Sequence, residues 1–160
     1  MGTAKAVKAG FNGLRGVFLH LAAEHGEVTS LMKRVSKSTD AQVRREHWPQ
    51  IRAELVSHEQ AETSEVYPSF ASFDSTREIV DIHQQEANQL EKAIAAVDAA
   101  DFAGAAWGAA FERLFALVQQ HATEEEEDFF PKAQAVLTED QSKVLLERFE
   151  ATKKAVKQRS

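Results

Sequence analysis

His58-Glu-Gln-Ala-Glu62-Thr-Ser-Glu-Val-Tyr67-Pro68 and, 63 residues later, His121-Ala-Thr-Glu-Glu125-Glu-Glu-Asp-Phe-Phe130-Pro131 are two versions of one pattern, His-x3-Glu-x4-(Tyr or Phe)-Pro. In an α-helix, residues i and i+4 lie one turn apart on the same face, so each copy presents an imidazole beside a carboxylate. Two such pairs facing each other offer two nitrogens and two bridging-capable carboxylates to a pair of metal ions. The segments carrying the pattern therefore read as helices, and the pattern itself reads as a metal site.

The repeat extends outward. His25 precedes His58 by 33 residues and His83 precedes His121 by 38, so the chain reads as two helical hairpins, each with one His on its first helix and His-x3-Glu on its second. Such self-similarity implies a pseudo-dyad that brings the half-sites together. Apolar residues at spacings of three and four define the segments. The first runs from an N-cap at Asn12 to about Ser36, and the second opens on Thr39 or Asp40, with Pro49 kinking it or delaying its start, and closes at Pro68. Ser75 and Glu78 form a capping box for the third, and Asp101 caps the fourth. Thr138 and Gln141 form another box for a short last helix over about 138–157, whose basic end (Lys153, Lys154, Lys157, Arg159) reads as solvated. No run alternates with period two for long enough to make a strand. The expected fold is all-α: one domain, an antiparallel up-down-up-down four-helix bundle with its core over 14–137 and a short additional C-terminal helix.

Composition narrows the function. A net charge of −6 without a basic block argues against nucleic acid as a partner. No cysteine is present, which removes thiolate ligands and thiol catalysis and leaves His, Asp, Glu and Tyr. No stretch approaches the roughly 18 apolar residues of a membrane span, and Phe18–Ala23 is too short and polar for a signal-peptide core, so a cytoplasmic protein, monomeric or weakly self-associating, is expected.

A single His-x3-Glu on a charged helix is usually a solvated pair. Duplication changes that weighting, and so do the neighbours: Leu21, Leu55, Ile79 and Val118 lie three or four residues before His25, His58, His83 and His121, which places each His on an apolar stripe. Each buried ionised carboxylate costs several kcal/mol unless paired, so Glu62 and Glu125 aimed into a core ask for a cation. The remaining acidic run Glu124–Asp128 reads as a solvated face, with Glu126 the fallback for Glu125. Glu59 and Glu86 are candidates for an extra carboxylate. Tyr67 reads as core packing, with a hydrogen-bonding or ligating role as the alternative. His20, about 140° round the helix from His25, reads as structural, and His47 as a surface or loop residue. Imidazole and carboxylate without sulfur suit a pair of iron or manganese ions better than zinc.

On His25, His58-x3-Glu62 with Tyr67-Pro68, His83, and His121-x3-Glu125 with Phe130-Pro131, the chain resembles the hemerythrin-like (HHE cation-binding) domains, over about residues 14–137. The resemblance implies a four-helix bundle with a non-haem di-iron centre. In it Glu62 and Glu125 bridge two iron ions together with an oxo or hydroxo group, His25 and His58 bind one iron, and His83 and His121 bind the other. Two departures from the oxygen-carrying members stand out. Ala87 occupies the position four after His83 where they have another His, and the last carboxylate follows its His by four residues rather than five.

An open coordination position favours reaction with small oxidants over reversible carriage. The leading expectation is a protein that binds and turns over hydrogen peroxide, nitric oxide or dioxygen; as an enzyme it would be a catalase- or peroxidase-like oxidoreductase without catalytic residues beyond the ligands. The alternatives are a non-enzymatic oxygen or iron carrier, store or sensor, and a metal-free interaction protein. A sensor's output domain finds no room in this length. The Glu-x-x-His of ferritin-like sites does not occur at these positions.

Overall fold

The computed structural model describes residues 13–159, so the Asn12 cap lies outside the described residues. Among those residues every element is helical and none is a strand. In order they are α1 (Gly16–Ser36), α2 (Ala41–Ala61), a π-helical turn π1 (Glu62–Val66), α3 (Tyr67–Ser69), α4 (Arg77–Ala99), α5 (Ala105–Glu124), a second π turn π2 (Glu125–Phe129), α6 (Phe130–Val136) and α7 (Glu139–Arg159). The elements α2–π1–α3 and α5–π2–α6 follow one another without a break, so each His-x3-Glu copy lies at a change of helical pitch.

Several helix ends differ from the sequence reading. Asp40 does cap α2, accepting from the Gln42 N–H at 2.9 Å, but Pro49 neither delays nor splits that helix and lies exposed inside it. His47 consequently sits mid-helix and half-buried, not in a loop. The Ser75–Glu78 box does not form: Thr76 is the N-cap of α4, and its hydroxyl donates to the Phe70 carbonyl at 2.7 Å. Asp101 accepts from Ala103 N–H at 3.2 Å, closing a turn ahead of α5, whose N-cap is Gly104. The Thr138–Gln141 box is reciprocal, with backbone N–H to side-chain oxygen distances of 2.9 and 3.1 Å. Thr138→Ala is expected to cost about 1 kcal/mol, read as a lower urea midpoint at unchanged slope.

The last helix is not short. At 21 residues α7 equals α1 and α2 in length, and it packs on both. Gly16 shows how closely. It has φ +58°, and a Cβ there would stand 2.4 Å from Ser142 Oγ, which instead accepts from the Val17 N–H at 3.1 Å. Only glycine meets both demands. Elsewhere α1 packs on α2 and α5, and α4 on α5, while α2 and α4 meet along a thin seam.

The core is divided in two. Val17, Phe18, Leu21, Tyr67, Phe70, Phe129, Phe130 and Phe149 form one apolar cluster. Met32, Trp48, Ile51, Leu90, Ile94, Trp107, Phe111 and Leu114 belong to the other. Along α1 the switch falls between Ala22 and Met32, along α2 between Ile51 and Ala61, and along α4 between Val80 and Leu90. Between Val118 of α5 and Phe129 of π2 it occurs again. His25, His58, His83, Ala87, His121 and Glu125 all lie in these intervals, so a polar layer is held between two dry ones.

Candidate metal centre

Each π turn starts on a carboxylate of the repeat. The N–H of Tyr67 bonds to the Glu62 carbonyl, and the N–H of Phe130 to the Glu125 carbonyl, five residues back in both cases. Widening the helix by one residue at this point rotates the next turn, so His, Glu and the aromatic residue all reach the interior. Glu62, Glu125, Tyr67 and Phe130 are each fully buried.

Donor atoms of His25, His58, Glu62 and Glu125 lie within 4.8 Å of one another, and so do those of Glu59, Glu62 and His121. Glu125 Oε1 stands 3.2 Å from His25 Nε2 and 3.3 Å from His121 Nε2. Glu62 Oε1 stands 3.1 Å from His58 Nε2 and 3.9 Å from His121 Nε2. Both carboxylates thus lie between the two halves of the repeat. His25 Nε2, His58 Nε2, both oxygens of Glu62, Glu59 Oε1 and Glu125 Oε1 are buried and make no hydrogen bond. So many nitrogen and carboxylate atoms converging in one buried place, without well-formed hydrogen bonds between them, is the arrangement expected of a cation site.

The other imidazole nitrogens explain this orientation. His25 Nδ1 bonds Glu126 at 2.8 Å and His58 Nδ1 bonds Glu24 at 2.8 Å. Glu86 Oε1 takes His83 Nδ1 at 2.8 Å and His121 Nδ1 at 3.3 Å. With each Nδ1–H donated to a carboxylate, Nε2 is the nitrogen left to bind a metal ion once its own proton is displaced. Glu126 and Glu86 therefore act as orienting acceptors, and the acidic run is not wholly a solvated face, since Glu125 and Glu126 are buried. The Tyr67 hydroxyl donates to Glu125 Oε2 at 3.0 Å and lies 3.1 Å from His121 Nε2. His83 joins through Glu86 and by packing edge-on against His121, ring centroids 4.9 Å apart. It does not share the close donor groups of Glu62 and Glu125.

Charge follows burial and partners. Burial alone would strip His58 of its proton, yet the Glu62 charge and the Glu24 bond outweigh it and push the imidazole up to about 10. Burial likewise opposes charge on His25 and His121; the neighbouring Glu125 and Glu126 carboxylates raise the first, and the Glu125 charge raises the second. Glu62 is held low against its burial by His58. Glu125 is raised by burial and then by Glu62, and Glu59 goes to about 7 for the same two reasons. Without a cation, the cluster keeps its carboxylates compatible only by holding protons.

Glu24 is the residue that sequence reasoning missed. It also accepts from His20 Nε2 at 2.9 Å, so His20 is structural as expected, although through the site's own hydrogen-bond chain. A cavity of about 240 Å³ is lined by residues of α1, α2, α4 and α5, with His25, His58, Glu59 and His121 among its walls. Its walls include Val28, Leu55, Leu90, Ile94 and Val118, and the Arg52–Asp98 ion pair (2.8 Å) spans α2 and α4 at its edge.

An all-helical chain that gathers buried His and Glu around unsatisfied lone pairs is of the cation-binding class. It belongs to the hemerythrin HHE cation binding domain family, which matches residues 17–133. Among curated proteins, the "DNA nickase" of Nostoc sp. is 25% identical over 136 residues, covering 85% of this chain and 38% of that protein. The chain thus spans under two fifths of that relative's length. No solved structure matches it. No helix among the described residues is long and apolar enough to cross a membrane.

Proposed function

We propose that the chain is an up-down-up-down four-helix bundle of α1, α2, α4 and α5 that holds two iron ions and turns over small oxidants, hydrogen peroxide or nitric oxide, at an open position. The observation that carries this is the set of buried, unpartnered donor atoms on His25, His58, Glu62 and Glu125, with His121 facing both carboxylates. Glu62 and Glu125 would be shared between the ions, with His25 and His58 holding one and His121 and His83 the other, and an oxo or hydroxo group would complete the pair. Glu59, whose Oε1 is buried and unpartnered, adds a carboxylate beside His121 and Glu62.

Bound iron supplies Lewis acidity and accessible redox states. The chain's own residues do the rest. Glu24, Glu86 and Glu126 fix the imidazoles, Tyr67 holds its proton toward Glu125 Oε2, and the apolar walls of the cavity favour small neutral molecules over ions. The reading leaves nucleic acid and membrane out, in keeping with the charge of −6, so the nickase activity of the Nostoc relative is not carried over.

Loaded with ferrous iron, the protein is expected to hold two ions per chain and to show the visible bands of a bridged diferric pair. It should disproportionate peroxide to water and dioxygen, and His58→Ala should slow this at least about tenfold. A chain that takes up no iron, or an unchanged rate in His58→Ala, overturns the proposal.

A further inference from the structure

Three of the four imidazoles are oriented by carboxylates that are themselves inside the matched segment, Glu126 for His25 and Glu86 for His83 and His121. His58 differs. Its acceptor, Glu24, is held in part by a residue beyond that segment: Glu24 Oε2 receives both His20 Nε2 of α1 and Lys153 Nζ of α7 at 2.9 Å, while Oε1 receives His58 Nδ1 at 2.8 Å. Lys153 Nζ also lies 3.0 Å from Glu54 Oε2, and Lys157 pairs with Glu54 as well. The Phe149 ring, one turn before Lys153, meets His58 edge-on with centroids 5.5 Å apart. Only 13% of the Lys153 side chain and 14% of Glu24 are exposed, so this is a half-buried network and not a solvated helix end.

We infer that α7 is a working part of the cation centre and that Lys153 is a positioning residue for His58, acting through Glu24. Glu24 of α1 and Glu54 of α2 are like charges converging on one place, and a buried carboxylate without a fixed partner swings toward water. His20 sits on the same helix as Glu24 and cannot tie it to α2; Lys153 bridges the two acids, ties α1 to α2 at the level of His58 and, together with His20, leaves Glu24 one geometry from which to receive Nδ1–H. Phe149 limits the ring's tilt. The inference rests on the cation-binding reading above.

Two opposite outcomes separate positioning from charge. Removing a lysine near a cation site relieves repulsion, so field effects alone predict tighter binding in Lys153→Met. Positioning predicts weaker binding, because loss of a group that orients a ligand costs 10–100-fold in metal affinity. The test titrates the full chain with Co(II) and follows both affinity and the visible Co(II) bands. Lys153→Met should bind about 10-fold more weakly with displaced bands, and Lys153→Arg should restore most of the loss. Exposed Lys154→Met should match wild type. Lys153→Met combined with Glu24→Gln should be no weaker than Glu24→Gln alone. Should Lys153→Met not fold, Lys153→Gln, which removes the same charge and shortens the reach to Glu24, carries the same test, since field effects again predict tighter binding and positioning weaker. Tighter or unchanged Co(II) binding in Lys153→Met, a lower melting temperature without a change in affinity or bands, or additive losses in the double variant overturn the role of α7. A wild-type chain that binds no Co(II) overturns the cation-binding reading with it.

Discussion

Glu125→Gln is expected to leave the cation-free protein as stable as wild type, or more so, while abolishing the stabilisation that cations confer. The side chain is fully buried, its pKa raised by burial and by the charge of Glu62. In the cation-free state it is a liability, and a neutral amide of the same shape removes a buried charge while its carbonyl can still accept from Tyr67. Oε1, standing 3.2 and 3.3 Å from His25 and His121, is placed closely between the two histidine groups, and an amide would be a poor bridging ligand there. Wild type at about 100 times the dissociation constant gains about 2.7 kcal/mol, on the order of 5–10 °C in melting temperature for a chain of this size. That gain should vanish in Glu125→Gln. Paired melts with Co(II) and with chelator decide it: a variant that loses stability in chelator, or keeps the cation-dependent rise, contradicts the bridging role.

The residues that cluster at the candidate centre were legible because chemistry and fold use one period. His and Glu at i and i+4, duplicated, mark both the helix and its inward face, and the structure brings His25, His58, Glu62, Glu125 and His121 together. What stayed hidden depends on contacts between segments. Glu24 is one more charged residue on a helix until Lys153 of α7 reaches it. The acidic run looks uniform, yet two of its members are buried, because the π turn at Glu125 shifts the register in a way that a 3.6-residue period does not encode. For the same reason the C-terminal helix read as a short appendage. Its basic residues match the expectation for a helix end, and only packing shows Lys153 and Lys157 paired with acids of α1 and α2. Caps that need only their own turn, Asp40 and Thr138–Gln141, were readable, whereas Thr76 displaced Ser75 because its hydroxyl found the Phe70 carbonyl six residues back.

Cation binding should tighten steeply with pH and release protons. His58 keeps its proton up to about 10 in the cation-free protein because Glu62 and Glu24 outweigh burial, and His25 and His121 are raised as well. An imidazole must lose its Nε2 proton to bind metal, so each proton displaced makes affinity rise about tenfold per pH unit below the folded-state pKa. From pH 6 to pH 8, His58 alone predicts a gain of about 100-fold. The stability of the cation-free protein runs the other way. A raised histidine contributes stability that is fully present below its unfolded value of about 6.5 and is lost as pH climbs toward 10. Melts in chelator should therefore fall between pH 6.5 and 10, while the gap between loaded and chelated protein widens. Calorimetry of Co(II) binding in buffers of different ionisation enthalpy counts the protons directly. Release of fewer than one proton per chain at pH 7, or an affinity flat from pH 6 to 8, would show that these imidazoles are already neutral and that the Glu62 and Glu24 carboxylates do not hold them charged.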